Sequence, residues 1–361
     1  MLSPDGCRSR RRRFWESLSD SIPIDCVRLA DPIHLAYFAN CYVEPISLGA
    51  DYGGVLELHR DGRAVLWHEN RLPKSVEAAH VDERKVVPWY DGQTPGQCVR
   101  RLAVVNAIGG DRRIHDHPSD PLGPALINGI AQMRRRKDLD EIDLLKRCMR
   151  VAEAGFAWSR TNIQPGMTEL DAYAGVSAAC MRAAGHWAII YGDFAVSPGP
   201  ERRGGPPTPR VIQAGDMLIL DYSVVLGQYR GDFTNTLVVG REPAPGQKRL
   251  YDLCIAAMRA GEQELRAGAA CQTVYDAVRA SFASAGMADY FPHHAGHGLG
   301  LSHPEAPFIV RHSTETLIAG DVVTLEPGLY VEDVGGIRIE HNYLVTDHGY
   351  ERLSQHEIVL R

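Results

Sequence analysis

The feature that most constrains this chain is a set of acidic side chains placed within apolar, strand-like sequence in its second half. They lie in the segments LILDYSVV, YRGDFTNT, VTLEPGLY and GGIRIEHN, and are Asp221, Asp232, Glu326 and Glu340. Burying an unpaired carboxylate costs several kcal/mol. Strands that bring such groups together must also bring positive charge to them, and metal ions supply it most densely.

The first pair of carboxylates falls in a predicted hairpin. In DMLILDYSVVLGQYRGDFTNTLVVG the apolar run breaks at Gly227 and Gln228, which predicts a two-residue turn. Such a turn sets Asp221 opposite Thr234 and makes Asp221 and Asp232 diagonal neighbours on one face, about 7–8 Å apart. An exposed polar face of the hairpin is the alternative interpretation.

The second pair falls in DVVTLEPGLYVEDVGGIRIEHNYLV, which predicts a hairpin with its turn near residues 333–336. Pairing about Asp333 would set Glu326 across from Glu340. A structural salt bridge could explain one buried glutamate, whereas two that face each other need a cation.

The segment HHAGHGLGLSH supplies an imidazole, His297, between glycines that allow close backbone approach. Neither a preceding apolar strand nor a following Lys-Ser/Thr pair supports a phosphate-binding loop. Four carboxylates and one imidazole favour two divalent ions, with manganese first, cobalt or iron next, and zinc also compatible. Ions about 3.5–4 Å apart would polarise a carbonyl and activate a bridging water. Glu326 is our candidate for carrying the proton of that water to a leaving amine.

Composition excludes several other classes of protein. A net charge of −6 gives no general attraction to nucleic acid or membranes. No stretch approaches the ~20 apolar residues of a membrane span. The arginine run in CRSRRRRFWESL lacks the apolar core of a signal peptide, and a solvated helix start is favoured over a nucleic-acid patch. Eight scattered cysteines without a CxxC pair predict reduced thiols and a cytoplasmic protein.

The length of 361 residues predicts two domains. Residues 1–130 mix short helices and strands, including IDCVRLA and LAVVNAI as strands and a hairpin that turns at Asp61 and Gly62. The proline-rich segment HDHPSDPLGP marks the junction that precedes the second domain, residues 131–361.

The second domain begins with an amphipathic helix in DLDEIDLLKRCMRVAEAGFAW. Its predicted apolar face comprises Leu139, Ile142, Leu145, Met149, Ala152 and Phe156. Thr168 is a predicted N-cap for the next helix. Two further helices are predicted in RLYDLCIAAMRAGEQELRAG and TVYDAVRASFASAG.

These motifs resemble those of the pita-bread metallopeptidases, which include Xaa-Pro dipeptidase (prolidase), aminopeptidase P and methionine aminopeptidase. The order Asp, Asp, His, Glu, Glu, with GHGLG, EPGLY and GGIRIE, carries the resemblance over residues 135–361. The first domain resembles more loosely a creatinase-type N-terminal domain. The resemblance implies an α+β protein with an α/β creatinase-like domain at 1–130 and a pita-bread catalytic domain at 131–361. It also implies a homodimer.

The resemblance assigns roles to residues beyond the metal ligands. His293 matches a position associated with the substrate, and His303 resembles an imidazole that contacts the reacting group, one position closer to His297 than usual. Arg338 matches an arginine near the site, and Arg311 is a candidate for holding a substrate carboxylate. The alternatives are a surface imidazole for His293 and a structural ion pair for Arg338.

The chain also departs from the family pattern. The segment ERRGGPPTPR lacks the usual PHG-like histidine. Ser223 replaces a glycine, Asn235 an arginine and His341 an aspartate. These changes remove no metal ligand, but they leave the identity of the substrate undetermined.

Three functions compete. The first is a dinuclear metallopeptidase that hydrolyses Xaa-Pro bonds in a peptide or dipeptide, as an Xaa-Pro dipeptidase or aminopeptidase. The second is a creatinase-like amidinohydrolase, which is disfavoured because creatinase lacks the metal ligands. The third is an inactive binding module, which is disfavoured because such relatives have lost them. The sequence therefore predicts the peptidase.

Overall fold

The computed structural model describes residues 1–18, 24–42, 53–71, 74–94 and 99–361. The chain divides into two compact units, Met1–Arg134 and Arg135–Arg361. The sequence placed the boundary between residues 130 and 131, slightly earlier in the chain.

The N-terminal unit is built on a four-stranded sheet with the order β1-β2-β3-β4, in which only the β3–β4 pair is parallel. Its described elements are α1 (Pro4–Ser17), β1 (Cys26–Leu29), α2 (Pro32–Ala39), β2 (Gly54–His59), β3 (Ala64–Glu69), a 3-10 turn (Lys74–Ala78), β4 (Glu83–Val87), α3 (Arg100–Ile108) and α4 (Gly123–Arg135). The predicted hairpin turn joins β2 to β3, and Gly62 has a φ of 94°. The hairpin is therefore confirmed.

The prediction of LAVVNAI as a strand is wrong, because this segment belongs to helix α3. Val104 is buried in a small cluster with Val55, and Ile108, one helical turn later, packs against the same cluster. A short apolar run fits either a buried strand or one face of a helix. Contacts of α3 with β2 and β3 stabilise the helix here.

The C-terminal unit, all of it described, contains four helices: α5 (Leu139–Asn162), α6 (Glu169–Ala184), α7 (Pro245–Glu262) and α8 (Cys271–Ser284). All four overlap the predicted helical segments, although α5 ends later and α7 and α8 begin earlier than predicted. The Thr168 side chain caps α6 by accepting from the N–H of Asp171. The predicted apolar face of α5 is buried except at Leu139, which is 81% exposed. That residue is the first of the helix, so its side chain precedes the turns that pack against the rest of the unit.

The strands of this unit form three antiparallel sheets. They are β5 (Ile189–Val196), β6 (Met217–Leu226), β7 (Tyr229–Gly231), β8 (Thr234–Val238), β9 (Gly296–Gly298), β10 (Glu305–Ile309), β11 (Val322–Leu325), β12 (Gly328–Val331), β13 (Gly335–Arg338), β14 (His341–Val345) and β15 (Tyr350–Arg352). One sheet has the order β5-β6-β7, with β8 also paired to β6. The second has the order β10-β9-β11-β14-β15, and the third is the β12–β13 pair.

The first ribbon, β6 to β8 (residues 217–238), has the predicted register. Its turn lies at Gly227 and Gln228, whose φ values of 55° and 71° suit a two-residue hairpin turn. β6 pairs first with β7 and then with β8, where Asp221 faces Thr234. The register is unchanged on both sides of Asp232.

The second ribbon, β11 to β14 (residues 322–345), also has the predicted register. It turns at Asp333, whose φ is 62°. The β12–β13 and β11–β14 ladders share one register, and Leu325 faces His341 at the edge of the gap between them. Glu326 and Glu340 occupy opposed positions in that gap.

The core of the unit packs α7 and α8 against the second ribbon. Met258 of α7 lies in one buried cluster with Leu325 and Ile339. These two ribbon residues are the immediate neighbours of Glu326 and Glu340. Because protein interiors are close-packed, the core fixes the backbone that carries both glutamates.

The described helices include none that is both long and apolar enough to cross a membrane. The cysteines within the described residues are all free thiols, and Cys98 lies outside those residues. Burial raises the pKa of the Cys148, Cys180 and Cys271 thiols to about 12. These three side chains therefore stay protonated and act as small apolar packing groups.

Candidate active site

The predicted ligands surround one cavity in the C-terminal unit, with a volume of about 490 Å³. The cavity is lined by Gly192, Asp193, Arg203, Asp221, Asp232, His293, His294, His297, His303, Pro304, Glu326, Tyr330 and Arg338. Glu340 lies behind this wall and is 1% exposed. Both ribbons, β5, and the loops on either side of β9 contribute to the cavity.

Asp221 is the carboxylate with a guanidinium partner. Arg338 Nε donates to Asp221 Oδ2 at 2.8 Å, and Arg338 Nη2 donates to the same oxygen. Nη2 also donates to Oδ2 of Asp193, the residue that faces Asp221 across β5 and β6, at 2.8 Å. Burial raises the pKa of Asp221 to about 7; Arg338 opposes this rise, and Asp232 adds to it. One guanidinium therefore does not offset the cost of burying this charge.

Asp232 lies between two imidazoles. Its Oδ2 is 2.6 Å from His303 Nε2 and 3.6 Å from His297 Nε2. Burial alone would raise the pKa of Asp232, but His303 and His297 together lower it below its usual value. Burial alone would lower the pKa of His303, and Asp232 raises it in turn. Asp232 is 4% exposed, which rules out the exposed hairpin face considered from the sequence.

Glu340 has no charged partner of opposite sign among the described residues. Thr234 Oγ1 donates to Glu340 Oε2 at 2.7 Å, and Asn342 Nδ2 lies 3.5 Å from Oε1. Burial, together with Asp232 and Glu326, raises the pKa of Glu340 well above its usual value. Its ionised form therefore lacks a compensating positive charge from the protein.

Glu326 lies among imidazoles. Its Oε1 is 3.3 Å from His294 Nδ1 and 3.3 Å from His297 Nε2. The same oxygen accepts a hydrogen bond from Thr324 Oγ1 at 3.2 Å. Burial alone would raise the pKa of Glu326, but His294 and His297 lower it below its usual value. The carboxylate is therefore ionised near neutral pH.

His297 is oriented by its own glycine-rich loop. Its Nδ1 lies 2.9 Å from the carbonyl oxygen of Gly298. Because a carbonyl only accepts, Nδ1 carries a proton, and Nε2 faces Asp232 and Glu326. A Cβ at Gly296 would lie 1.9 Å from the carbonyl oxygen of Thr324, so the close approach of β9 to β11 requires glycine there.

The ligand atoms form two groups of three that share Asp232. One ligand atom from each of Asp221, Asp232 and Glu340 lies within 4.8 Å of the others. The same holds for Asp232, His297 and His303. A carboxylate common to both groups is suited to bridging two cations.

A second set of cavity residues forms a hydrogen-bonded chain. Tyr330 Oη lies 3.2 Å from His293 Nε2 and accepts from Arg338 Nη1 at 2.7 Å. His293 Nδ1 lies 2.8 Å from the carbonyl oxygen of His294, so Nδ1 carries the proton and Nε2 accepts from the tyrosine hydroxyl. Burial lowers the pKa of His293 to about 4, and the ring is neutral near pH 7.

The family of the chain follows from its similarity to known proteins. Residues 143–347 match the sequence profile of metallopeptidase family M24. The chain belongs to this family. It is therefore a peptidase enzyme of the metal-dependent class, and the resemblance seen in the sequence is confirmed.

Similar proteins span nearly the whole M24 chain. An uncharacterized peptidase of Staphylococcus aureus (strain USA300) is 25% identical over 354 residues, which cover 92% of this chain and 95% of that protein. The structure of an Xaa-Pro dipeptidase from Bacillus anthracis has a TM-score of 0.76 at 22% identity and covers 99% of both chains. Prolidase from Pyrococcus horikoshii OT3 has a TM-score of 0.74 at 22% identity, covering 98% of this chain and 100% of that one. The predicted α+β fold with an N-terminal and a catalytic domain is confirmed.

The structure brings all the predicted site residues of the M24 enzyme together except Arg311. Arg311 is exposed in the turn that follows β10 and does not line the cavity. His293 is half-buried and packs against Tyr330, so it is not a surface imidazole. Arg338 makes the ion pairs of the structural alternative, and it also lines the cavity.

Four polar residues of the cavity were not predicted from the sequence: Asp193, Arg203, His294 and Tyr330. His294 and Tyr330 lie within the motifs HHAGHGLG and EPGLY, so a signal for both was present in the sequence. Asp193 lies in IIYGDFAV and carried no such signal. Its place in the site comes only from the pairing of β5 with β6.

Among the departures from the family pattern, only ERRGGPPTPR reaches the cavity, through Arg203. The next residue, Gly204, has a φ of 158°, and a Cβ there would lie 1.9 Å from Asp193 Oδ2. Asn235 bonds the backbone of Val359 instead of facing the cavity. The wall that lacks the usual histidine is thus the part of the site where this chain differs most.

Proposed function

We propose that this M24 enzyme is a dinuclear metal-dependent peptidase that hydrolyses Xaa-Pro bonds, as an Xaa-Pro dipeptidase or Xaa-Pro aminopeptidase. The observation that carries the proposal is that Asp232 lies with Asp221 and Glu340 on one side and with His297 on the other, each set close enough to hold a cation. The similar folds of a prolidase and an Xaa-Pro dipeptidase support the Xaa-Pro part of the proposal.

The donor set fits two divalent cations. They would be held by Asp221, Asp232, His297, Glu326 and Glu340. This oxygen-rich set suits manganese first, and also cobalt, iron or zinc. The raised pKa of Glu340 supports the fit, because a buried carboxylate without a charged partner is the kind that a bound cation stabilises.

When bound, two divalent cations polarise a peptide carbonyl and lower the pKa of a water toward neutrality. Glu326 then moves the proton: Oε1 receives it from the attacking water and passes it to the leaving nitrogen. His294 and His297, each 3.3 Å from that oxygen, hold the carboxylate ionised and in place. A substitution at Glu326 would disturb both metal binding and proton transfer.

His303 and His293 orient the substrate. The raised pKa of His303 beside Asp232 favours a protonated ring that can donate to a substrate oxygen. His293, neutral and fixed by Tyr330, holds its ring edge toward the cavity. We assign Arg338 a positioning role, since all its nitrogens already donate to protein oxygens.

The proposal is tested with purified enzyme reconstituted with Mn²⁺ and assayed on Ala-Pro, Ala-Ala and Ala-Pro-Ala. We expect kcat/KM on the Xaa-Pro substrates to exceed that on Ala-Ala by at least about tenfold. A chelator should abolish the activity. Equal or faster cleavage of Ala-Ala would reject the Xaa-Pro specificity and leave a general peptidase.

We also propose a homodimer in the cytoplasm. The dimer rests on the family resemblance, and the compartment rests on the scattered, unpaired pattern of the cysteines in the sequence. Light scattering on the purified protein tests the dimer, and the mass of a single chain would reject it.

A further inference from the structure

The loop between β9 and β10, residues 299–304, brings His303 to the cavity. His303 Nε2 lies 2.6 Å from Asp232 Oδ2. The loop ends at Glu305, the first residue of β10, which pairs with Gly298 of β9. Because loops are more mobile than the strands that they connect, the position of His303 depends on the contacts that hold this loop.

A buried ion pair contacts the end of the loop. Lys137, in the segment that precedes α5, places its Nζ 2.7 Å from Glu305 Oε1. The two side chains are 1% and 9% exposed, and neither lines the cavity. The other oxygen of Glu305, Oε2, accepts a hydrogen bond from the N–H of Ser302 at 3.2 Å. The carboxylate therefore links Lys137 to the residue that directly precedes His303.

The same ion pair packs against the backbone of Gly300. A Cβ there would lie 2.5 Å from Glu305 Oε1 and 3.1 Å from Lys137 Cε, so the close approach requires glycine. The carbonyl oxygen of Gly300 accepts a hydrogen bond from the N–H of Arg230, on the ribbon that carries Asp232, at 3.2 Å. The loop is therefore held between the ion pair and the first ribbon.

Stability alone is a weak explanation for two charges at this place. The cost of taking them out of water offsets most of their attraction, and apolar side chains of similar size often stabilise a fold equally well. Apolar side chains could not supply the carboxylate oxygen that accepts from Ser302. That oxygen acts on the loop one residue before His303.

We propose that Lys137 and Glu305 are positioning residues that hold His303 against Asp232. Lys137 fixes the Glu305 carboxylate, and the carboxylate fixes the backbone of Ser302, so that the loop presents His303 Nε2 to Asp232. The inference rests on the proposed function for its effect on turnover, because His303 orients the substrate there.

The competing explanation is that contacts of the His303 ring suffice. Its ring centroid lies 4.9 Å from that of His297 and 6.5 Å from that of Tyr191, and Asp232 lies beside its Nε2. If these contacts alone fix the ring, the ion pair of Lys137 with Glu305 has no effect on His303.

The test begins with Lys137→Met/Glu305→Leu, which removes both charges and the acceptor for Ser302. Because no unpaired charge is left buried, we expect the variant to fold and to keep its bound Mn²⁺. Its kcat on Ala-Pro should fall by about 10- to 100-fold. Lys137→Met/Glu305→Gln, which keeps an oxygen for Ser302, should recover part of the loss. An unchanged kcat in the first variant, or a loss of bound Mn²⁺, would overturn the inference.

A matched control removes a second ion pair that involves α5. Lys146 Nζ lies 2.7 Å from Glu351 Oε1, and neither residue lines the cavity. We expect Lys146→Met/Glu351→Leu to keep the wild-type kcat. A similar loss in this control would show that kcat responds to any ion pair of α5, and would overturn the specific role of Lys137 and Glu305.

A double-mutant cycle with His303→Ala separates positioning from general stability. We expect His303→Ala to lower kcat, and Lys137→Met/Glu305→Leu to cause no further loss in that background, because the ring that the ion pair positions is absent. Losses that multiply would mean that the ion pair acts on another part of the enzyme, and would overturn the inference.

A crystal structure of Lys137→Met/Glu305→Leu tests the position of His303 without an activity assay. We expect His303 Nε2 to lie beyond hydrogen-bonding distance of Asp232 Oδ2, and a retained contact would overturn the inference. Wild-type enzyme that does not hydrolyse Ala-Pro would remove the proposed Xaa-Pro activity, and this structure would still decide the role of the ion pair. Active wild-type enzyme with an unchanged His303→Ala variant would remove only the role proposed for His303 in turnover.

Discussion

The two ribbons stabilise buried negative charge in different ways. On the first ribbon, Asp221 meets Arg338 and Asp232 meets His303. On the second ribbon, Glu326 lies 3.3 Å from His294 and His297. Glu340 receives only a hydroxyl and a side-chain amide, and its pKa is raised well above the usual value. Asp221, Asp232 and Glu326 therefore have basic side chains beside them, whereas Glu340 has none among the described residues and is the carboxylate that a bound cation would stabilise most.

The strongest test of the comparison removes the carboxylate that joins the two ligand groups. Asp232→Asn takes a ligand from each group, so we expect bound metal to fall and kcat/KM to drop roughly 10³-fold or more. Circular dichroism should show an unchanged fold. Asp252→Asn, an exposed carboxylate on α7, is the control. Near-normal activity in Asp232→Asn would place the reaction elsewhere.

The next largest effect separates metal binding from turnover. His293 contacts Tyr330 and belongs to neither ligand group. We expect His293→Ala to keep its metal content and to lose kcat by roughly 10²-fold. His348→Ala, an exposed imidazole outside the cavity, is the control. Unchanged kinetics in His293→Ala would make this residue a bystander.

A third test compares the side chains that stabilise the carboxylates of the two ribbons: Arg338 beside Asp221, and Thr234 beside Glu340. Arg338→Met leaves Asp193 and Asp221 without their buried guanidinium, so we expect the free energy of unfolding of the metal-stripped protein to fall by about 3 kcal/mol. Thr234→Val removes one hydrogen bond to Glu340 and should cost about 1 kcal/mol. Urea unfolding in the presence of a chelator measures both. Equal losses would contradict the difference between the ribbons.

The smallest effect concerns pH. The folded pKa of Asp221 is about 7, above its ordinary value of 3.8. Its contribution to stability is therefore complete below about pH 4 and is lost as the pH rises toward 7. In chelator, Asp221→Asn should gain stability relative to wild type over this range. A relative loss would show that Arg338 outweighs burial and lowers the pKa.

The registers of both ribbons could be predicted because their determinants are local. Gly227 and Gln228 adopt the positive φ values that a two-residue turn requires. Asp333 does the same in the second ribbon. With the turn fixed, the two-residue periodicity of a strand decides which side chains share a face. Five metal-ligand candidates followed from this local pattern and the glycine-rich loop.

The residues that face the substrate could not be predicted in the same way. Asp193 enters the site through the pairing of β5 with β6, which joins distant parts of the sequence. Arg311 was chosen for its charge alone, and the structure places it away from the cavity. The contacts that a side chain makes with distant segments depend on the tertiary structure and cannot be inferred from the local sequence.

The N-terminal unit shows the same limit in its fold. The hairpin at Asp61 and Gly62 was predicted from its turn residues, whereas LAVVNAI forms a helix because Val104 and Ile108 pack against the small core beside β2 and β3. Periodicity over so few residues does not distinguish the two structures.

The central claim is that the two ribbons hold two divalent cations at one cavity. Titration of Mn²⁺ into chelator-stripped enzyme, followed by calorimetry with hydrolysis measured in parallel, tests it most directly. We predict two ions bound per chain, activity that returns as the sites fill, and a lower stoichiometry in Asp232→Asn. Full activity without any divalent ion, or with a single ion bound, would contradict the account.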